Sequence, residues 1–148
     1  MRALDRLLIT AGLVAAATVA AALVRRRRGS PPAQARWRVP SQLDRRDFEG
    51  PALPWLVAVF TSSTCESCYE ATARASVLAS PRVQYQEVAF QERRELHGRY
   101  GIEVVPLTLL ADQDGVVLAS FVGVPRATDL WAAVAEAREG GREGGSSA

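Results

Sequence analysis

The chain has 148 residues, enough for one domain with short additions at its ends. All 18 of its basic residues are arginine and it contains no lysine or asparagine, a bias typical of a GC-rich, bacterial genome. Residues 1–35 carry six arginines against one acid, a net charge of +5, whereas residues 36–148 carry twelve arginines against fifteen acids, a net charge of −3. Because nucleic-acid binders concentrate positive charge on the folded domain, this balance argues against a nucleic-acid partner.

The N-terminal segment contains an uncharged run over residues 7–24, flanked by Arg6 and by four arginines at 25–28. Its 18 residues approach the roughly 20 that span a bilayer, so we expect a single transmembrane helix. A signal peptide is the alternative, since Ala33-Gln34-Ala35 resembles a cleavage site, but the intervening arginines argue against cleavage there. The same arginines favour a cytoplasmic position for the C-terminal domain in a single-pass cell-membrane protein.

The rest of the chain divides into a linker at 25–35, a domain at 36–139 and a Gly/Ser-rich tail at 140–148 that we expect to be disordered. Apolar runs predict strands at 55–60, 106–111 and 116–122, and strands are also expected at 37–39 and 83–90. Helices are predicted at 41–48 and 91–100, and a third begins at Cys68 and is ended by Pro81. The last helix is capped by Thr128 or Asp129 and presents one apolar stripe of Leu130, Ala133, Val134 and Ala137.

This order predicts an α/β fold with a central mixed sheet flanked by helices. Helices between the early strands imply parallel pairing, and the Asp112-Gln113-Asp114-Gly115 turn joins the last two strands as an antiparallel hairpin.

The only two cysteines, Cys65 and Cys68, follow the buried strand and open the next helix. Unpaired amide groups and the helix dipole at that position stabilise a thiolate on the first cysteine. The two-residue spacing allows the sulfurs to reach bonding distance, and Cys68 lies on the apolar face. We therefore predict Cys65 as the attacking thiolate and Cys68 as the resolving thiol.

A metal site is the competing interpretation of two close cysteines. Tetrahedral zinc sites need four ligands, and the chain has no second pair of cysteines. His97, its one histidine, lies in a polar segment and is interpreted as a solvated residue on a helix surface. We expect no metal and no cofactor.

The strand–CxxC–helix arrangement, followed by Tyr100-Gly101-Ile102-Glu103-Val104-Val105-Pro106 and a hairpin with Gly123, resembles the thioredoxin family over residues 36–139. The resemblance implies that Pro106 is cis and faces the cysteines, and that Val105 and Pro106 form the substrate-binding platform. A proline at the start of an apolar strand agrees with a special turn there.

Two positions depart from the family pattern. The buried acid that assists the second thiol in many thioredoxins would fall near Val59, which cannot act as a base, so slower exchange is expected. Glu66 opposes thiolate formation on Cys65, which favours a stable disulfide and a reductant.

The leading hypothesis is a membrane-tethered thiol–disulfide oxidoreductase that reduces protein disulfides and is itself reduced by an unknown thiol donor. A non-catalytic thioredoxin-like binding module is the main alternative, and a protein that delivers a soft metal such as copper is a third. Among the other aromatic and charged residues, Trp55 and Trp131 are interpreted as packing residues, and Arg93 and Arg94 as part of a solvated helix face. Tyr69 is interpreted either as a neighbour of the site or as a packing residue.

Overall fold

The computed structural model describes residues 37–143, with side chains described as far as Gly140. The predicted membrane segment at 7–24, the linker at 25–35 and the tail beyond residue 143 lie outside these residues. Within the described part of the chain, no helix has the length and apolar character needed to cross a membrane.

Four strands of the described residues form one mixed sheet in the order β2-β1-β3-β4: β1 is Trp55–Thr61, β2 is Val83–Ala89, β3 is Leu107–Ala111 and β4 is Val117–Val122. β1 and β2 are parallel, as predicted for strands joined by a helix. β3 runs antiparallel to β1, with Leu107 opposite Phe60, and the β3–β4 hairpin is antiparallel as expected. The expectation of parallel early pairs was therefore wrong for β3. The long connection from β2 lets it enter the sheet on the other side of β1, in the opposite direction.

The helices that flank the sheet are α1 at Cys68–Ser76, α2 at Arg94–Arg99 and α3 at Ala127–Glu143. Alternate side chains of β1 face the two sides of the sheet, so that Leu56, Ala58 and Phe60 join one core while Trp55, Val57 and Val59 join the other. The second core also contains Ala75 of α1, Leu78 from the turn that follows it, and Leu130 and Val134 of α3. Leu96 of α2 packs into the first core. The predicted apolar stripe of the last helix thus faces the sheet.

The segment before β1 differs from its prediction. Residues 37–39 are not a strand, and the predicted helix at 41–48 is reduced to one 3-10 turn, Arg45–Asp47, whose first turn is capped by the carboxylate of Asp44. Tertiary hydrogen bonds hold the segment instead. The Leu43 amide donates to the Gly115 carbonyl oxygen at 2.8 Å, and Gln42 forms an isolated bridge with Val116.

Arg45 forms hydrogen bonds that connect this segment to three other parts of the fold. It donates to the carbonyl oxygens of Asp112 and Leu53 at 2.6 and 3.0 Å and to Oε1 of Gln84 at 2.9 Å. Its burial lowers the pKa of its guanidinium, although the charge of Asp112 acts in the opposite direction. Such contacts depend on residues far apart in the chain, which local sequence patterns do not reveal.

Several side chains lie in surroundings other than those predicted. His97 is buried, not solvated: its Nε2 lies 2.9 Å from the Val88 carbonyl oxygen, and its ring packs edge-on against Phe60 and Phe90. Trp55 packs as predicted, but Trp131 is 50% exposed because it lies on the outer face of α3. α3 also continues past Gly140 to Glu143, although the sequence predicted disorder from Gly140 onward.

The prediction that Arg93 and Arg94 lie on a solvated helix face is confirmed for Arg94 and wrong for Arg93. Arg94 is exposed, with its guanidinium over the Phe90 ring. Arg93 is instead partly buried, where it donates to the Asp47 carbonyl oxygen at 3.0 Å and pairs with Glu95. Arg93 therefore ties α2 to the segment before β1.

Candidate redox-active site

The two cysteines form a disulfide at the junction of β1 and α1, with their Cα atoms 5.4 Å apart. Cys65 lies in the turn after β1, where its amide donates to the Ser62 carbonyl oxygen at 3.1 Å. Cys68 is the first residue of α1 and is only 4% exposed, whereas Cys65 is partly accessible. The predicted position of Cys68 on the apolar face is therefore confirmed, and of the two cysteines Cys65 is the one that a partner can approach.

Ser67 is placed to act on the Cys65 sulfur. It is the N-cap residue of α1, but its backbone is helical (φ −81°, ψ −8°) and its side chain makes no capping hydrogen bond. N-cap serines ordinarily adopt an extended backbone and bind an amide of the first turn. Here the hydroxyl lies 3.7 Å from Sγ of Cys65 and, since a disulfide sulfur has no hydrogen, the hydroxyl is the donor. The sequence analysis missed this contact because it depends on the backbone angle of Ser67.

The peptide bond between Val105 and Pro106 is cis, as predicted. Because Leu107 pairs with Phe60 in the antiparallel ladder, Pro106 lies at the edge of the sheet where β1 ends and the turn to Cys65 begins. The Pro106 carbonyl oxygen accepts a hydrogen bond from the Gly123 amide at 2.8 Å, and Arg74 of α1 donates to the Pro125 carbonyl oxygen at 2.8 Å. The cysteine turn, the cis-proline turn and the loop after β4 thus meet at one edge of the sheet.

The turn before Cys65 is held by a single amide side chain. Gln91 donates to the Ser62 hydroxyl at 3.2 Å and accepts from the Ser63 amide at 3.0 Å. Both contacts join the end of β1 to the segment after β2, so the turn that positions Cys65 is fixed from outside as well as by its own backbone.

Carboxylates around the disulfide differ in their pairing. Glu70 of α1 forms an ion pair with Arg74. Glu66, between the cysteines, and Glu103, just before the cis-proline turn, are exposed and make no hydrogen bond or ion pair with other described residues. Tyr69 is 83% exposed, so it flanks the site and does not pack against the fold.

The strand beneath the site has no acid, as the sequence indicated. Val59 is fully buried in the second core, opposite Glu87 in the parallel ladder. Glu87 is exposed, and its Oε1 accepts a hydrogen bond from the buried Thr61 hydroxyl at 2.7 Å. This pair was not predicted, and it becomes apparent only from the register of β1 and β2.

Among the described residues, no group of three or more His, Cys, Asp or Glu side chains is arranged to hold an ion. His97 is committed to the Val88 carbonyl oxygen.

A cleft of about 700 Å³ lies remote from the cysteines. It lies at the end of the sheet where β1 begins, and Trp55 forms part of its wall. Its charged lining residues are two arginines and two aspartates, Arg82, Arg138, Asp112 and Asp114. This cleft therefore has no net charge and no connection to the disulfide chemistry.

Taken together, a four-stranded mixed sheet, a CxxC disulfide at a strand–helix junction and a cis-proline at the same edge define a thioredoxin-like fold. Solved structures agree with this assignment. Thioredoxin-2 of the malaria parasite, described as a component of its protein secretion machinery, has a TM-score of 0.52 at 17% identity, over 56% of this chain and 82% of that one. A second malarial protein has a TM-score of 0.51 at 17% identity, over 56% of this chain and 96% of that one.

Thioredoxin from Fasciola hepatica is 21% identical over 56% of this chain and 80% of that one, with a TM-score of 0.49. Because that TM-score is below 0.5, the structural comparison rests on the two malarial proteins. The chain matches no protein-family model and no curated protein. At these identities the likeness establishes the fold, and the site must be interpreted from this chain's own residues.

Proposed function

We propose that the protein is a membrane-tethered thiol–disulfide oxidoreductase that reduces disulfides of partner proteins through Cys65 and Cys68. The observation that carries the proposal is the disulfide itself, which joins a partly accessible Cys65 to a buried Cys68 at the same edge of the sheet as Val105 and Pro106. A four-residue disulfide loop constrains the unfolded chain little, so reactivity explains the pair better than stabilisation does.

In the reduced protein, the Cys65 thiolate attacks one sulfur of a substrate disulfide. The substrate S–S bond breaks, a mixed disulfide forms, and one substrate thiolate leaves. Cys68 then loses its proton and attacks the Cys65 sulfur, which releases the second substrate thiolate and restores the Cys65–Cys68 bond. Two electrons pass from the protein to the substrate, and an external thiol reductant returns the protein to its dithiol form.

Val105 and Pro106 are proposed to bind the substrate chain. They lie at the edge of the sheet from which the Cys65 turn projects, and an extended peptide segment can pair with backbone groups at such an edge. Glu66 supports the reducing direction, because its unpaired carboxylate disfavours a thiolate on the adjacent Cys65.

The proposal is tested with the full-length chain, by following reduction of a model protein disulfide driven by dithiothreitol. Wild-type protein should accelerate reduction, Cys65→Ser should abolish the acceleration, and Cys68→Ser should accumulate a mixed disulfide. The reduction potential of the cysteine pair, measured in glutathione buffers, should be close to the value of about −270 mV that is typical of reducing thioredoxins. A value close to about −120 mV is typical of strong oxidants and would contradict the reducing direction. A Cys65→Ser variant that keeps its activity would refute the mechanism. A wild-type protein that captures a partner but reduces nothing would favour the non-catalytic binding module.

The membrane anchor at residues 7–24 and the cytoplasmic side of the domain are part of the proposal, supported by the uncharged run and its flanking arginines. Tethering would raise the effective concentration of the domain toward partners at the membrane. C-terminal fusions to one reporter active only inside the cell and one active only outside test the topology. An active exported reporter would place the domain on the other side.

A further inference from the structure

A small cleft adjoins both functional turns of the site. It has a volume of about 230 Å³ and is lined by Ser62, Phe90, Ile102, Glu103, Val104 and Val105. Ser62 is the residue whose carbonyl oxygen binds the Cys65 amide, and Val105 begins the cis peptide. A substrate segment that meets Cys65 and pairs with the backbone of Val105 therefore passes this cleft.

The chemistry of the lining restricts what the cleft can receive. Four of its six residues are apolar, and the Ser62 hydroxyl is already engaged by Gln91 and Thr64. Glu103 is the one charged lining residue, and its carboxylate has no ion-pair or hydrogen-bond partner among the described residues. An apolar wall with one free carboxylate fits a side chain that has an aliphatic stem and a cationic head.

We propose that this cleft is a specificity subsite that takes an arginine or lysine side chain of the substrate, with Glu103 as its counter-charge. The unpaired Glu66 between the cysteines adds negative charge on the same approach. Arg94 acts in the opposite sense, because its guanidinium lies 4.9 Å from the centroid of the lining residue Phe90. The inference rests on the proposed function, and it defines the substrates as proteins with a basic residue near the reactive disulfide.

The test uses three peptides with one internal disulfide that differ only at the residue beside one cysteine, which is Arg, norleucine or Glu. The full-length chain, kept reduced by dithiothreitol, should reduce the Arg peptide with a kcat/KM about fivefold above that of the norleucine peptide, the effect of one partly exposed ion pair. The Glu peptide should be slowest, and the differences should shrink in about 1 M salt, where the Debye length falls to about 3 Å.

Charge variants complete the design. Glu103→Gln should abolish the preference for the Arg peptide while the norleucine rate is kept, Glu103→Lys should shift the preference to the Glu peptide, and Arg94→Gln should increase the Arg preference. Glu136→Gln is the matched control, an exposed glutamate on α3 outside the cleft, and should change nothing.

Equal rates for the Arg and norleucine peptides in the wild type, or an Arg preference retained by Glu103→Gln, would overturn the subsite and leave the proposed function intact. Failure of the wild type to reduce any of the three peptides would overturn the proposed function and the subsite with it.

Discussion

Replacing Gly115 by alanine should severely destabilise the domain, although the change adds one methyl group. Gly115 has φ +83° in the β3–β4 turn, and a Cβ built there would lie 1.9 Å from the Leu43 carbonyl oxygen and 3.0 Å from Nε2 of Gln42. The methyl group cannot fit unless the Leu43 backbone moves, and Leu43 is a core residue that is only 1% exposed.

The expected cost combines three effects. The left-handed backbone costs an alanine about 1–2 kcal/mol. Displacing Leu43 breaks its 2.8 Å hydrogen bond to the Gly115 carbonyl oxygen, worth about 1 kcal/mol. Forced movement of a packed core residue adds about 1–3 kcal/mol. The total of roughly 3–6 kcal/mol is a large share of the ~5–15 kcal/mol that holds a typical domain together.

Alanine substitutions at two other glycines, measured by urea unfolding of the full-length chain, distinguish the cost of backbone strain from the cost of the steric clash with Leu43. Gly123 also has φ +83°, but no atom lies within 4 Å of the position that a Cβ would take there, so Gly123→Ala should cost only the backbone strain of about 1–2 kcal/mol. Gly98 is helical and unobstructed, and Gly98→Ala should stabilise by up to about 1 kcal/mol. If Gly115→Ala and Gly123→Ala lose the same free energy of unfolding, the contact with Leu43 is not what constrains Gly115.

Three further substitutions test the contacts that hold the site and its frame. Tyr100→Phe should lower the free energy of unfolding by about 1–3 kcal/mol at neutral pH, because the Tyr100 hydroxyl accepts from the Asp44 amide and donates to Asp47. Burial and the hydrogen bond to Asp47 raise the pKa of Tyr100 from 10.0 to about 12. The stability that this shift contributes is fully present below the unfolded-state pKa of 10.0 and is lost as the pH rises through the folded-state pKa of about 12. The Phe variant lacks this contribution, so its stability should fall less steeply with rising pH. Arg45→Lys should cost about 1–2 kcal/mol in urea unfolding, since a single ammonium nitrogen cannot replace the two guanidinium nitrogens that reach these three acceptors, and an unchanged midpoint would contradict this. Ser67→Ala should make the redox potential of the cysteine pair more negative by about 30 mV, because the hydroxyl that donates to the Cys65 sulfur is expected to bind a charged thiolate more strongly than a disulfide sulfur, by ~1.4 kcal/mol; Ser67→Thr, which retains the hydroxyl, is the control.

The sequence predicted the positions of the four observed strands well because each carries a local signal, but it did not predict the direction of β3. Each observed strand from β1 to β4 lies within about one residue of a predicted strand, and the Asp112–Gly115 turn predicted the hairpin. The cysteine site was also predictable, since its chemistry depends on a motif placed directly after a strand.

Features that depend on tertiary contacts were not predictable in this way. His97 stands among polar residues in the sequence, yet it is buried because Val88 supplies a hydrogen-bond acceptor and two phenylalanines enclose its ring. The segment before β1 was predicted as a strand and a helix, but its backbone forms hydrogen bonds with the distant β3–β4 hairpin instead. Similarly, Glu103 lines a cleft only because the cis-proline turn and the turn before Cys65 meet.

The burial of Cys68 is the physical reason to expect slow exchange. Cys68 must lose its proton to attack the mixed disulfide, and a buried carboxylate near it would be an efficient acceptor. The buried polar and charged residues in the described part of the chain are Thr61, Gln84, His97 and Thr108, so no carboxylate there is buried. Glu87 stands opposite Val59, but it is exposed and already accepts a hydrogen bond from Thr61. The proton of Cys68 must therefore pass to solvent or to an exposed group, and the resolving step, not the attack by Cys65, is the one that we expect to limit exchange.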